Sequence, residues 1–480
     1  MKALFPLLFL FLSGLAFSQQ WVDTTYTIQT ENNLFYGTAH GFAGATDSLF
    51  LDLSYPTDDT VSACGRPLLV MVHGGAWIAG DKAEGYSLRI REDFAKRGYT
   101  TAAVSYRLGQ IHTNQYINCN VPQWNCYNMT DSSEWYRAYY RGIQDVHGAV
   151  RYLINHSEDY QIDPNNVFIV GESAGGFIAM GVGFLDQDAE VLTDLVAEYP
   201  AAPTPNQLYE SPCIQTLNLA NNIAAMDLAR PGLGNYEGTL NLPLSEPYHL
   251  RAVGNFYGGV FNNIFMTNAA APPPALYLYH QPCDLIVPYR SSRLLAGYVD
   301  CLLGFPTNCG YIVNRPIVYG SLGIKQMIDT MEVNGIATPE YLFDNTTNNW
   351  NCLQQASNPS MSCHAMDNYW LRTSNMAAYF AEYIAACTVA ATTTMEDLSD
   401  WVSIYPNPAR HITTIAFKEA QPSVTLVVTN VLGQIHHRQT KQNCKAITLD
   451  LRDFQPGLYQ LFFEIGNHRF SRKLIVTTED

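Results

Sequence analysis

The chain of 480 residues carries 27 Lys and Arg against 43 Asp and Glu, a formal net charge of −16, and is 47% hydrophobic. Its length exceeds one ordinary domain and its apolar content can fill a core, so two folded units are expected. The acidic balance, with no cluster of Lys and Arg, argues against nucleic acid or anionic lipid as the main partner.

Met1-Lys2, the apolar run from Leu4 to Leu12 and the junction Ala16-Phe17-Ser18 predict a secretory signal peptide over residues 1–18, cleaved before Gln19. No cysteine stands at that junction, which argues against lipoprotein processing. No later run approaches the ~18 apolar residues of a membrane span.

Continuous apolar runs then alternate with longer stretches of helical spacing. Runs at 68–72, 101–106, 167–171, 253–257 and 275–279 read as strands buried on both faces, and Tyr341-Leu342-Phe343 as a possible last one. A helix starting near Arg141 is marked by Ile143, Val146, Val150 and Leu153, with Asp163-Pro164 closing the loop after it. Such alternation predicts an α/β fold, a doubly wound and mostly parallel sheet, whose loops at the carboxyl ends of the strands gather the functional residues.

Three of those loops carry chemistry. The run at 68–72 is followed by His73-Gly74-Gly75-Ala76-Trp77, whose small residues leave backbone N–H groups accessible. The run at 167–171 leads into Gly171-Glu172-Ser173-Ala174-Gly175, the strand-to-helix context of a nucleophile elbow, in which glycines let neighbouring backbone close in behind a strained serine. This makes Ser173 the expected nucleophile, with the amides of Gly75, Ala76 and Ala174 as the expected oxyanion hole.

In an elbow hydrolase the histidine comes last in the chain, and after Gly175 the catalytic region offers only His249, His280 and His364. His280 ends a strand four positions before an aspartate and His249 precedes any plausible acid, so His364, in an Asn- and Ser-rich loop, is the expected base. Asp284 follows the run at 275–279 and is the expected acid, placed to hold the His364 tautomer that leaves Nε2 facing Ser173. Asp300 and Asp344 are the reserves.

Strand, His-Gly-Gly-Ala-Trp, Gly80-Asp81-Lys82, strand, helix, Ile162-Asp163-Pro164 and Gly-Glu-Ser-Ala-Gly-Gly together resemble the α/β-hydrolase carboxylesterases, in particular the branch related to bacterial feruloyl and acetylxylan esterases, over roughly residues 45 to 385. The resemblance implies an eight-stranded sheet with helices on both faces, a Ser-His-Asp acyl-enzyme mechanism on carboxylic esters, and neither metal nor organic cofactor. Ala76 stands where such chains usually have a third glycine, and Cys363 where a glycine usually precedes the histidine. Substrate choice is left open among feruloyl, acetyl-xylan and other esters, including aromatic polyesters. Inserts at 109–140, with Tyr116, Trp124, Tyr127, Trp135 and Tyr136, and at 185–252 are candidate pocket walls, although scattered aromatics of this kind more often simply pack. Glu172 reads as a structural carboxylate rather than a second base. A silent binder on the same scaffold, or a serine peptidase or amidase, is the alternative.

Export gives the cysteines meaning. Ten of eleven fall between Cys64 and Cys387, an even number suited to disulfides, and Cys444 is the odd one. Cys119 with Cys126, Cys301 with Cys309, and Cys352 with Cys363 are the local pairings expected first; a bridge between Cys283 and Cys363, which precede the acid and the base, is the competing pairing.

The catalytic unit is expected to span 19–387, followed by a Thr- and Ala-rich linker at 388–401 and a small β-sandwich at 402–480, marked by period-two runs such as Val424-Thr425-Leu426-Val427-Val428. Tyr405-Pro406-Asn407-Pro408, Gly457-Leu458-Tyr459 and Lys473-Leu474-Ile475-Val476 resemble the C-terminal sorting domain of the type IX secretion system of Bacteroidota. That resemblance implies the secretion machinery as a partner and a released or surface-attached product. A monomer is expected.

Overall fold

Leu68, Val70 and Val72 face one apolar cluster while Leu69 and Met71 face another, so a single short strand with no exposed side chain serves two layers. The computed structural model describes residues 20–41, 46–109, 132–187, 190–191, 232–261, 273–297, 316–387, 402–430, 435–466 and 468–477. The signal-peptide and linker assignments, most of the insert at 109–140, much of that at 185–252, Asp300, and the pairings Cys119 with Cys126 and Cys301 with Cys309 lie outside the described residues. The chain divides into two units, 1–387 and 388–480.

In the first unit, β1 (Ile28–His40), β2 (Thr46–Pro56), β3 (Arg66–Val72), β4 (Thr100–Val104), β5 (Ile162–Glu172), β6 (Leu250–Phe256), β7 (Ala275–His280) and, after a two-stranded ribbon of β8 (Ser291–Arg293) and β9 (Ile317–Tyr319), β10 (Tyr341–Asn345) form one eight-stranded sheet in the order β1-β2-β4-β3-β5-β6-β7-β10. Only β2 runs against its neighbours. This is the mostly parallel sheet expected from the alternation of runs, with the eight strands of the α/β-hydrolase fold that the motif resemblance implies. On one face Ile90 and Phe94 of α1 (Gly85–Lys96) and Met376 and Phe380 of a late helix, Tyr369–Ala381, share a cluster with Leu69, Met71, Phe168 and Val170. On the other, α2 (Ser132–Asn155), beyond the four-residue turn α3 (Ser157–Tyr160) α4 (Ala174–Phe184), and α5 (Ser321–Val333) bury Ile143, Val146, Ile178, Ile324 and Ile328.

The strands at 167–171 and 253–257 differ from expectation at their starts. Asp163-Pro164 is not loop: β5 already begins at Ile162, paired with Arg66, and the register shifts before Leu68 pairs with Val167. Proline lacks the N–H a ladder needs, and this irregular first pairing is where a strand tolerates it. The described tail of the second insert packs along α2, where Gln144 Nε2 donates to the carbonyls of Leu233 and Asn235, and Arg151 to those of Leu240 and Glu237. Cys64 is bridged to Cys387 across 323 residues, tying the approach to β3 to the last residue of the unit.

The second unit is antiparallel throughout its named ladders. β11 (Val402–Tyr405), β12 (Ile412–Asn430), β13 (Ile435–Asp450), β14 (Gly457–Ile465) and β15 (His468–Val476) surround a core of Ile415, Leu426, Val428, Ile447, Leu461 and Leu474. β12 pairs with β11 through its first half and with β14 through its second, and its ladder with β13 is interrupted between Ala416 and Gln421, as expected of a strand bending to serve both layers of a small sandwich.

Candidate active site

Ser173 sits between β5 and α4 at φ 50°, ψ −121°, a conformation costly for a residue with a Cβ. Its N–H donates to Phe256 O at 2.9 Å and its carbonyl accepts from Phe177 N at 3.2 Å, so both sides of the elbow are pinned. Gly175 has to be glycine: a Cβ there would lie 2.1 Å from Val72 O, because β3 passes directly behind the turn. The loop after β3 abuts the serine, with the Cβ position of Gly74 3.1 Å from Ser173 Cβ. Gly75 adopts φ +108°, Ala76 φ 54° and Trp77 φ 61°, and the Gly75 carbonyl accepts the amides of Ile78 and Ala79 at 3.0 Å each.

The three side chains expected to meet do so. His364 Nε2 lies 2.8 Å from Ser173 Oγ, and His364 Nδ1 lies 2.7 Å from Asp284 Oδ2. With the carboxylate as acceptor, the imidazole carries its proton on Nδ1 and Nε2 accepts from the serine hydroxyl. Asp284 follows β7 in a tight turn: its Oδ1 accepts the amides of Ile286 at 2.8 Å and Val287 at 3.1 Å, and its Oδ2 accepts from His280 Nε2 at 3.0 Å as well as from His364. The side chain of Asp284 is fully buried and that of His364 is 15% exposed. Burial alone raises the acid, but the His364 charge and the hydrogen bonds from His280 and His364 more than offset it and hold the carboxyl at about 2. It is therefore ionised at neutral pH. A carboxyl depressed in this way lends the fold stability in full above about pH 4, and that contribution is lost as the pH falls towards about 2.

The reserve acid Asp344 is occupied elsewhere, accepting from Tyr277 Oη at 2.6 Å, Asn375 Nδ2 at 2.9 Å and the Arg372 guanidinium. The local pairing of Cys352 with Cys363 does not form. Cys363 is bonded to Cys283 instead, because the turn after β7 and the loop carrying His364 lie against each other while 80 residues separate the two cysteines in sequence. Gln355, on α6 (Cys352–Ser357), reinforces the junction by donating to Cys283 O at 2.9 Å and accepting the Cys363 amide at 3.1 Å. A capping box formed by Asn351 and Gln354 starts that short helix. Replacing both Cys283 and Cys363 with Ser should cost about 2–5 kcal/mol of stability, read as a lowered denaturant midpoint against the oxidised parent.

Two groups at the site carried no functional expectation. Tyr257, just past β6, packs its ring against His364 with centroids 4.9 Å apart, and its hydroxyl donates to Glu172. Glu172 is raised by burial, with the Tyr257 hydrogen bond, the His364 charge and the Gly74 amide opposing. The position of Tyr257 at the carboxyl end of a buried strand was the signal available. Trp135 and Trp77 are buried and meet edge to face at 5.9 Å, with Phe177 5.4 Å from Trp77, so these aromatics pack the core behind the loop.

Fold and site together define an α/β-hydrolase scaffold bearing a hydrogen-bonded row of hydroxyl, imidazole and carboxylate. Residues 51–118 and 131–214 match the BD-FAE family, and residues 403–477 match the secretion system C-terminal sorting domain. The chain is 28% identical to carboxylesterase patB of Aspergillus clavatus over 235 residues, covering 45% of this chain and 39% of that protein. It is 30% identical to a probable isoprenylcysteine alpha-carbonyl methylesterase, ICME, of Oryza sativa subsp. japonica over 248 residues, 52% of this chain and 50% of that one. The chain thus spans half or less of the length of these relatives. A truncated carbohydrate esterase from gut microbiota aligns over 75% of this chain and 98% of its own, at 15% identity and a TM-score of 0.40. Both of these curated relatives are esterases by name, in line with the resemblance read from the motifs.

Proposed function

We propose that this protein is an exported carboxylic ester hydrolase working through an acyl-enzyme. The observation that carries the reading is the pair of contacts at His364, 2.8 Å to Ser173 Oγ and 2.7 Å to Asp284 Oδ2. His364 takes the hydroxyl proton as Ser173 attacks the ester carbonyl. The imidazolium, held by Asp284, then returns that proton to the departing alcohol, and water repeats the cycle to release the acid. The amides of Gly75, Ala76 and Ala174 hold the oxyanion. Ala174 lies in the first turn of α4, where amides have no acceptor within the helix, and the loop of Gly75 and Ala76 lies beside the nucleophile.

Gly75→Ala tests the hole. A Cβ on Gly75 would lie 2.1 Å from Ala79 O, so the loop has to shift, and kcat should fall about 10²–10³-fold. A nitrophenyl ester assay checks this, with the melting temperature showing that the fold survives.

Substrates are carboxylic esters of the feruloyl, acetyl-xylan or aromatic polyester kinds, with Tyr136 and Phe261, 5.1 Å apart, beside the buried aromatic core. Export uses the signal peptide and then the type IX machinery through the C-terminal unit, leaving a secreted or surface-attached monomer. Labelling by a fluorophosphonate probe, confined to Ser173, supports the enzyme; no labelling of folded protein supports a silent binding protein instead. Nitrophenyl esters, acetylated xylan, feruloyl esters, an aromatic polyester and a peptide amide, run in parallel, separate the substrate classes.

A further inference from the structure

A second histidine holds the acid. His280, the last residue of β7, is completely buried, and its Nε2 lies 3.0 Å from Asp284 Oδ2 and 3.2 Å from Val287 O. Both of those atoms are acceptors, so Nε2 must carry hydrogen. Its Nδ1 accepts the amide of Ser321 at 3.3 Å. Ser321 is the first residue of α5, where an amide has no acceptor within the helix, and it finds one in this ring. Both nitrogens are thereby committed, and the ring presents a fixed Nε2–H to the same carboxylate oxygen that serves His364.

We propose that His280 is a positioning residue of the esterase reaction: it fixes the Asp284 carboxylate and withdraws charge from Oδ2, and so sets how strongly His364 holds its proton. This rests on reading Ser173, His364 and Asp284 as the triad. Asp284 Oδ1 is held by two backbone amides, whereas Oδ2, the oxygen facing His364, has among the described residues only the two imidazoles as donors. Without His280 the carboxyl group loses one of the bonds that stop it turning. Its Oδ2 also becomes a stronger acceptor, because an N–H donor no longer shares its charge.

The stronger acceptor stabilises the His364 imidazolium, so the acid limb of activity moves to higher pH while poorer alignment lowers the rate. Other groups facing these rings are Tyr289, whose ring stands edge-on to His280 at 5.6 Å, and Tyr257 and Glu172 beside His364. None of them donates to Oδ2.

The test compares His280→Leu, which removes the donor, with His280→Gln, which keeps an N–H able to reach Asp284. The kcat/KM profile on a nitrophenyl acetate is taken between about pH 4.5 and 9, with competent sites counted by fluorophosphonate titration. His280→Leu should lower kcat/KM per titrated site about tenfold or more and raise the acid-limb midpoint by about half a unit or more. His280→Gln should recover most of both. A merely structural role would reduce the count of competent sites and leave the midpoint of the survivors unchanged, which overturns the inference. An equal loss in the Gln variant also overturns it.

Should His280→Leu fail to fold, long-range nitrogen–proton NMR of the histidine-labelled parent enzyme decides. A hydrogen on Nε2 of His280 through the active pH range upholds the proposal, and a hydrogen on Nδ1 refutes it. Absence of probe labelling on Ser173 in the parent would instead strike the triad reading itself.

Discussion

Replacing Ser173 with Ala should reduce kcat by about 10⁶-fold, to the level that binding and the oxyanion donors sustain by themselves. The magnitude follows from the coupled action of the row. His364 has nothing to deprotonate once Oγ is gone, so the imidazole and the acid lose their use together, and adding His364→Ala to the variant should cost almost nothing more. The fold should be unaffected, since alanine and serine meet the same constraint at φ 50° and the elbow is pinned through the backbone atoms of residue 173. Nitrophenyl ester turnover and probe labelling read the loss, and an unchanged melting temperature shows that chemistry alone was removed. Retention of more than about a hundredth of the activity would mean that another nucleophile does the work.

Asp284→Asn is the second large expectation, about 10⁴-fold in kcat. Among the described residues Asp284 accepts four hydrogen bonds, two from backbone amides on Oδ1 and two from imidazoles on Oδ2. An asparagine retains one accepting oxygen. The amides of Ile286 and Val287 cannot change their character, so that oxygen stays with them and the NH₂ turns towards both rings. His364 then takes the tautomer that points Nε2–H at Ser173 and cannot act as a base. His280 has no such escape, because its Nδ1 already receives the Ser321 amide. Two N–H groups are left facing each other in a fully buried place, and a buried donor without an acceptor costs about 1–3 kcal/mol. The variant should therefore lose melting temperature as well as rate, unlike Ser173→Ala.

The sheet was legible because its strands are buried on both faces. A run such as Leu68 to Val72 has no polar position, and the sequence marks it without reference to any neighbour. The meeting of Ser173, Asp284 and His364 was legible because chain order and the carboxyl ends of strands restrict where each can stand. The oxygen that His280 serves was not, since that contact depends on how tightly the turn from Gln281 to Val287 folds back on β7. The Cys283–Cys363 bridge was readable only as one pairing among several, because nearness in space across 80 residues leaves no periodic trace. Asp163-Pro164 was misread as loop for a related reason: proline is scored against a regular ladder, and the first pairing of β5 is irregular.

The bridge from Cys64 to Cys387 closes the first unit on itself, for Cys387 is its final residue. Any pull exerted from beyond that point meets a covalent bond anchored near the sheet's central strands before it reaches the hydrogen bonds of the closing helix, Tyr369–Ala381. Severing the chain just after Cys387 would leave an end already fastened, so a first unit separated from the second would have no loose C-terminal tail from which unravelling could start.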